Sequence, residues 1–221
     1  RSAILQLTGD PETVTELLHR EQLFDRSMTV PPVFLSISPQ LFFYVFIYRA
    51  LDRKHLAQDD VVDYVAGVWV EFRTNAALWQ FSSSGEKTIY AVDLLNYMND
   101  VDKHQQYFLR RYIGNVSLFL TGFFPDRIFN RNRKNGAPSM EYYESIGRSQ
   151  YGTAAEDSHA HDDGAAPVLN TLAEQFVAIR SAINVYTDAY FNLHNGKRSL
   201  EMIERQASTL DEQTFRGSLE I

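Results

Sequence analysis

Leu169, Leu172, Phe176, Ile179, Ile183, Tyr186, Tyr190 and Leu193 follow one another in strict steps of three and four. That spacing keeps every member on one face of an α-helix and cannot be laid on a strand, whose faces alternate every two residues. It predicts one long helix from about Pro167 to His194, stopped by Asn195-Gly196. A seam of this length suits either a dimeric coiled coil or one helix of an intramolecular bundle. Phe176, Tyr186 and Tyr190, with Phe191 at the edge, put aromatic bulk where a zipper favours Leu, Ile or Val, so the bundle is the better reading. A bundle with this helix as its spine could still form a homodimer through a neighbouring face.

The helical period also governs the rest of the chain. Asp10-Pro11-Glu12 is a start signal, a capping residue before proline and an acid, and predicts a helix over about 11–25. Ser38-Pro39 repeats the signal before Leu41–Tyr48, which is apolar all round and reads as a buried helix. A strand competes there on composition, but the run continues through Arg49-Ala50-Leu51 to helical length. After Asp59-Asp60, the residues Val61, Val62, Val65, Val68, Trp69 and Phe72 make a third stripe. Ser82–Gly85 breaks the chain, and Tyr90, Leu94, Tyr97, Met98 and Val101 mark a fourth helix ending near Asp102.

From about Lys103 to Phe124 two faces are distinguishable. Positions 108, 112, 116, 119 and 123 are apolar, whereas Arg110, Gly114, Ser117 and Thr121 are mostly small and predict close approach of a neighbouring helix. Pro125 ends that helix, and Gly122 lets Phe123-Phe124 fold back under the turn. A basic loop containing Arg127, Arg131, Arg133 and Lys134 follows, then a sixth helix through Tyr142, Tyr143, Gly147 and Tyr151. Glu156–Pro167 reads as a polar surface connection, Leu200–Leu210 as a short amphipathic piece and 210–221 as a loose tail. The expectation is an all-α fold, a single-domain helical bundle of seven to eight helices over 1–221.

Composition then removes function classes. A chain of 221 residues, 44% hydrophobic and 22% charged, buries enough surface to stand without staples. The absence of cysteine excludes disulfides, thiol catalysis, iron–sulfur clusters and cysteine zinc sites. A net charge of −7 argues against general nucleic-acid binding, which needs a broad basic footprint. The longest apolar run is eight residues where a membrane-spanning helix needs about 20, so no membrane partner is expected. A cytoplasmic location fits these features. Because the chain opens at Arg1, removal of upstream residues, a signal included, stays open.

Candidate chemistry is sparse. Carboxylate-bridged di-iron bundles use two Glu-x-x-His pairs, and Glu16/His19 and Glu156/His159 have that spacing. On the first helix, however, the apolar stripe is Val14, Leu17, Leu18 and Phe24, which leaves Glu16 and His19 on the polar side. His159, His161, Asp162 and Asp163 are competent zinc ligands without a specific spacing, and read as a solvated loop. Ser84–Thr88 lacks the first glycine and the Gly-Lys pair of a phosphate loop, and no nucleophile elbow occurs. Asn115-Val116-Ser117 matches a glycosylation acceptor but falls within a predicted helix. No metal and no cofactor are expected.

What remains is the aromatic hairpin of residues 118–151. There tyrosines either cap the core edge with their hydroxyls in water or line a pocket, in which case Arg127, Tyr143, Arg148 and Tyr151 are the candidate ligand-binding residues. The run LFLTGFFP, a basic loop, then EYYESIGRSQYG resembles a family of uncharacterised bacterial proteins known as hypothetical sequences. The resemblance covers this segment alone and implies a bacterial, cytoplasmic protein without an assigned activity. The functional expectation is a non-enzymatic binding or interaction module that uses the hairpin and takes a small molecule or a protein as partner. A metal-dependent, di-iron-like or small-molecule-processing helical enzyme is the alternative.

Overall fold

A computed structural model describes residues 39–74 and 91–193. Among the described residues the fold is all-α, with nine α-helices and no strand. The expected helices at about 11–25 and 200–210, the break at Ser82–Gly85 and the loose tail lie outside the described residues. The chain forms two compact units, one containing residues 39–74 and 185–193, the other residues 91–184.

In the first unit α1 (Pro39–Asp52) is a helix and not a strand, and it packs along α2 (Asp59–Thr74). Tyr44 to Tyr48, Ala50 and Leu51 of α1 are buried, as an element apolar all round requires. The α2 stripe Val61, Val62, Val65, Val68, Trp69 and Phe72 is buried to the last member, while the acids Asp59 and Asp60 occupy the first turn. Phe46 meets Tyr186 edge to face at 6.1 Å, and Arg53 lies over the same Tyr186 ring at 5.5 Å.

The second unit begins with α3 (Ala91–Tyr97), a short 3₁₀ turn at Met98–Asp100, and α4 (Lys103–Phe123). A capping box starts α4. Gln105 N–H donates to Asp102 Oδ1 at 2.8 Å and the Asp102 N–H donates back to Gln105 Oε1 at 3.4 Å. Next come α5 (Pro125–Asn135), α6 (Met140–Ala155), α7 (Ser158–Asp162), α8 (Ala166–Glu174) and α9 (Phe176–Leu193). α6 is the centre of the unit, flanked by α4 on one side and α8 on the other.

Three sequence expectations need correction. The basic stretch after Pro125 is a helix, because proline at its first position and Gly136 in the left-handed region (φ 64°) bracket it, and Arg and Lys are good helix formers between them. The polar connection before Pro167 likewise contains α7, whose cap Asp157 accepts the His159 N–H at 3.0 Å.

The long C-terminal helix is broken at Gln175, where φ −104° and ψ 15° leave helical geometry and separate α8 from α9. A single non-helical residue preserves the three-and-four alternation, so periodicity does not reveal it. Leu169, Leu172, Phe176, Ile179, Ile183 and Tyr186 are all buried across the break, as the seam predicted.

On α4 the small-residue face takes the close approach expected of it, and the apolar face is covered only in part, with Val116 buried. Phe108, placed on the apolar face, is 49% exposed, while Gly114, Ser117 and Thr121 of the small-residue face are buried. That face is where α6 comes closest. The Tyr151 ring lies so near Gly114 that a Cβ there would stand 2.7 Å from it.

Candidate functional site

The hairpin is built from the C-terminal end of α4, α5 and the start of α6. Phe119 and Phe123 stack at 5.7 Å, and Phe124 folds back edge-on to Phe119 at 5.5 Å, as the Gly122–Pro125 segment led one to expect. The end of α4 is closed by Asn184 of α9, whose side-chain amide donates to the carbonyls of Thr121 at 2.8 Å and Gly122 at 2.6 Å. Arg180 orients that amide through a 2.8 Å bond to Asn184 Oδ1 and binds Glu144 of α6 through Nε at 2.7 Å. This pair is mostly shielded from water, so it holds α6 against α9 more firmly than an exposed pair would.

α5 is anchored from below by Ile128, buried in a cluster with Tyr143 and flanked by Leu120, Met140, Tyr142 and Ile146. With Ile128 inward, its neighbour Phe129 points outward and is 64% exposed. Arg133, one turn further on the same side, and Lys134 are exposed as well. Ser139 caps α6 by accepting the Tyr142 N–H at 3.3 Å.

The residues expected to bind a ligand are spread among different roles. Arg127 lies on α5. Tyr143 is buried beside Ile128. Tyr151 is fully buried, packed on Gly114 and donating its hydroxyl to Asn115 Oδ1 at 2.8 Å. Arg148 is exposed and donates through Nε to the Ala173 carbonyl at 3.3 Å. Tyr143 shares the Ile128 cluster, whereas the contacts of Tyr151 and Arg148 run to α4, α9 and α8.

Of the candidate metal ligands, Glu16 and His19 lie outside the described residues. Glu156 is exposed at the C-terminal cap of α6, and His159 is engaged on α7. Among the described residues no group of three or more His, Asp or Glu side chains is arranged to hold a metal ion.

A second cluster sits at the other end of α6; the sequence pointed to its His159 and Asp163 as a polar run but not to their partners on α4. Buried Tyr107 of α4 donates its hydroxyl to Asp163 Oδ2 at 2.8 Å, and Arg111 Nη1 reaches both the Tyr107 hydroxyl at 3.2 Å and Asp163 Oδ2 at 3.0 Å. Burial, reinforced by the hydrogen bond to Asp163, pushes the Tyr107 phenol up to about 12. Burial acts to raise Asp163, but the Tyr107 hydroxyl, the Ala165 N–H and Arg111 outweigh it and hold the carboxyl below its ordinary range. Asp157 is likewise lowered, chiefly by its hydrogen bond to His159.

His159 Nδ1 lies 2.7 Å from Asp157 Oδ1, its ring stacks on Tyr107 at 5.6 Å, and His104 meets it at 4.7 Å. Asp163 is 56 residues beyond Tyr107 in the chain. The cluster clips α7 and its flanks to the start of α4. Compared with known proteins, the chain matches no family model, no curated protein and no solved structure. No helix among the described residues is long and apolar enough to cross a membrane.

Proposed function

We propose that this protein is a non-enzymatic interaction module that binds a protein partner through the outward face of the α5–α6 hairpin. The observation that carries the reading is Phe129, 64% exposed on a helix whose neighbouring Ile128 is fixed in a buried cluster. An exposed aromatic side chain with Arg133 one turn away has the composition of an interface anchor. Anchoring α5 through Ile128 against Tyr143 of α6, itself tied to α9 by the Glu144–Arg180 pair, lowers the ordering cost of binding.

The test is a photo-crosslinking amino acid placed at Phe129 in cells that make the protein, with Asp63 on α2 as an exposed control position. A discrete protein adduct at position 129 and none at 63 is the expected result. Absence of an adduct at 129, or equal adducts at both positions, overturns the reading.

A further inference from the structure

We infer that the partner of the hairpin is a second copy of this chain, held in an antiparallel two-fold pair in which the α5 end of each copy meets the α7 end of the other. This rests on the reading of the hairpin as an interaction surface. α6 has 16 residues, so at ~1.5 Å per residue it separates its two ends by ~24 Å. At one end stands α5, which carries Arg127, Arg131 and the exposed Arg133 and Lys134 against Asp126 and, in the first turn of α6, Glu141. At the other, residues 156–163 carry Glu156, Asp157, Asp162 and Asp163; Asp163 is paired with Arg111 and Asp157 lies against His159, which leaves Glu156 and Asp162 as the exposed acids outside these pairs.

Charges separated by more than the screening length of ~8 Å in physiological salt neutralise one another little within one copy. A two-fold axis across the middle of α6 inverts the second copy, brings each basic end against an acidic end and makes both contacts at once. Such a pair is closed, so it stops at two copies.

The apolar surface follows the same plan. The basic end exposes Phe129 at 64%, and the acidic end exposes Phe108 at 49%, next to His104, which contacts His159 of α7. Between the ends, α6 shows water the small side chains Ser145, Ser149 and Thr153. Arg148 on that stripe is turned toward the Ala173 carbonyl.

Sedimentation velocity on the full chain decides the matter, run in ~10 mM and ~1 M salt, between which the screening length falls from ~30 Å to ~3 Å. The expected result is a dimer that weakens at least ~10-fold at high salt. The variants R133E/K134E and E156K/D162K are each expected to be monomeric. Mixed in equal amounts they should form a one-to-one heterodimer, because each reversed end then meets its complement. All four side chains are exposed, and helicity and melting temperature are measured on each variant. If either reversal fails to fold, R133Q/K134Q and E156Q/D162N take its place and should weaken the dimer in the same direction. A monomeric wild type, a dimer indifferent to the charge changes, or no heterodimer on mixing overturns the inference. A crosslinked adduct at position 129 with a mass other than twice that of the chain does so too, while leaving the hairpin reading standing.

Discussion

Gly147 of α6 lies beneath the Phe176 ring so closely that a Cβ at 147 would stand 2.4 Å from Phe176 Cε2 and 3.0 Å from Ser117 Cβ. Phe176 is the first residue of α9 and fully buried, so the ring cannot move aside without disturbing the seam that continues to Ile179 and Ile183. Gly147→Ala is therefore expected to destabilise the protein by about 1–3 kcal/mol, the range for forcing a methyl group into a filled core. Gly67 on α2 provides the contrast. It is exposed and a Cβ there meets nothing within 4 Å, so Gly67→Ala should stabilise by about 0.5–1 kcal/mol through helix propensity alone. Urea denaturation of both variants checks the pair of signs.

Tyr151 joins the same contact through its hydroxyl. Its ring fills the space over Gly114 and its oxygen donates to Asn115 Oδ1 in a buried setting. Tyr151→Phe keeps the ring and removes the donor, so the expected loss is about 1–2 kcal/mol with no change in helicity. A loss above about 3 kcal/mol, the size of a core cavity, would show that the ring itself had shifted.

The helices were legible where a face is apolar at a regular step, as on α2, and where a start signal is local, as at Pro39 of α1. Gly114 and Ser117 were legible as a close-approach face because small residues at helical spacing have few other uses. The break at Gln175 was not, since the seam passes through it unchanged. α5 was misread because charge was weighed above the proline and glycine that bracket it. Tyr143 and Tyr151 look alike in sequence as half-buried pocket residues. Their burial comes from Ile128 in one case and Gly114 in the other, contacts that only the folded chain brings together. For the same reason Tyr107 and Asp163 give no local sign of their bond.

That bond makes stability depend on pH in a defined direction. The Tyr107 phenol titrates near ~10 in an unfolded chain and at about 12 in the folded one. Its contribution is complete below the unfolded value and is lost as pH rises through the folded value, so the decline falls between about pH 10 and about pH 12. Asp163 behaves oppositely. Its folded value lies below ~3.9, so its contribution is present above that pH and is lost as acid takes the folded carboxyl through its own value. Tyr107→Phe removes the first effect and, by deleting a donor, reduces the second. Urea midpoints of wild type and variant should converge at the alkaline end; a constant gap up to about pH 12 would contradict the assignment.

α5 yields the sharpest separation between fold and surface. Ile128→Ala removes a buried anchor of the hairpin and should cost about 2–4 kcal/mol. Gly136→Ala places a Cβ at φ 64° and should cost about 1–2 kcal/mol by penalising the left-handed turn that ends the helix. Phe129→Ala, one residue from Ile128, should change stability by no more than about 0.5 kcal/mol, because its ring is 64% exposed. Thermal melts of the three variants order them directly. If Phe129→Ala costs as much as Ile128→Ala, the ring belongs to the core and the surface it is proposed to offer a partner does not exist; if the order holds, the ring lies outside the core, as that surface requires.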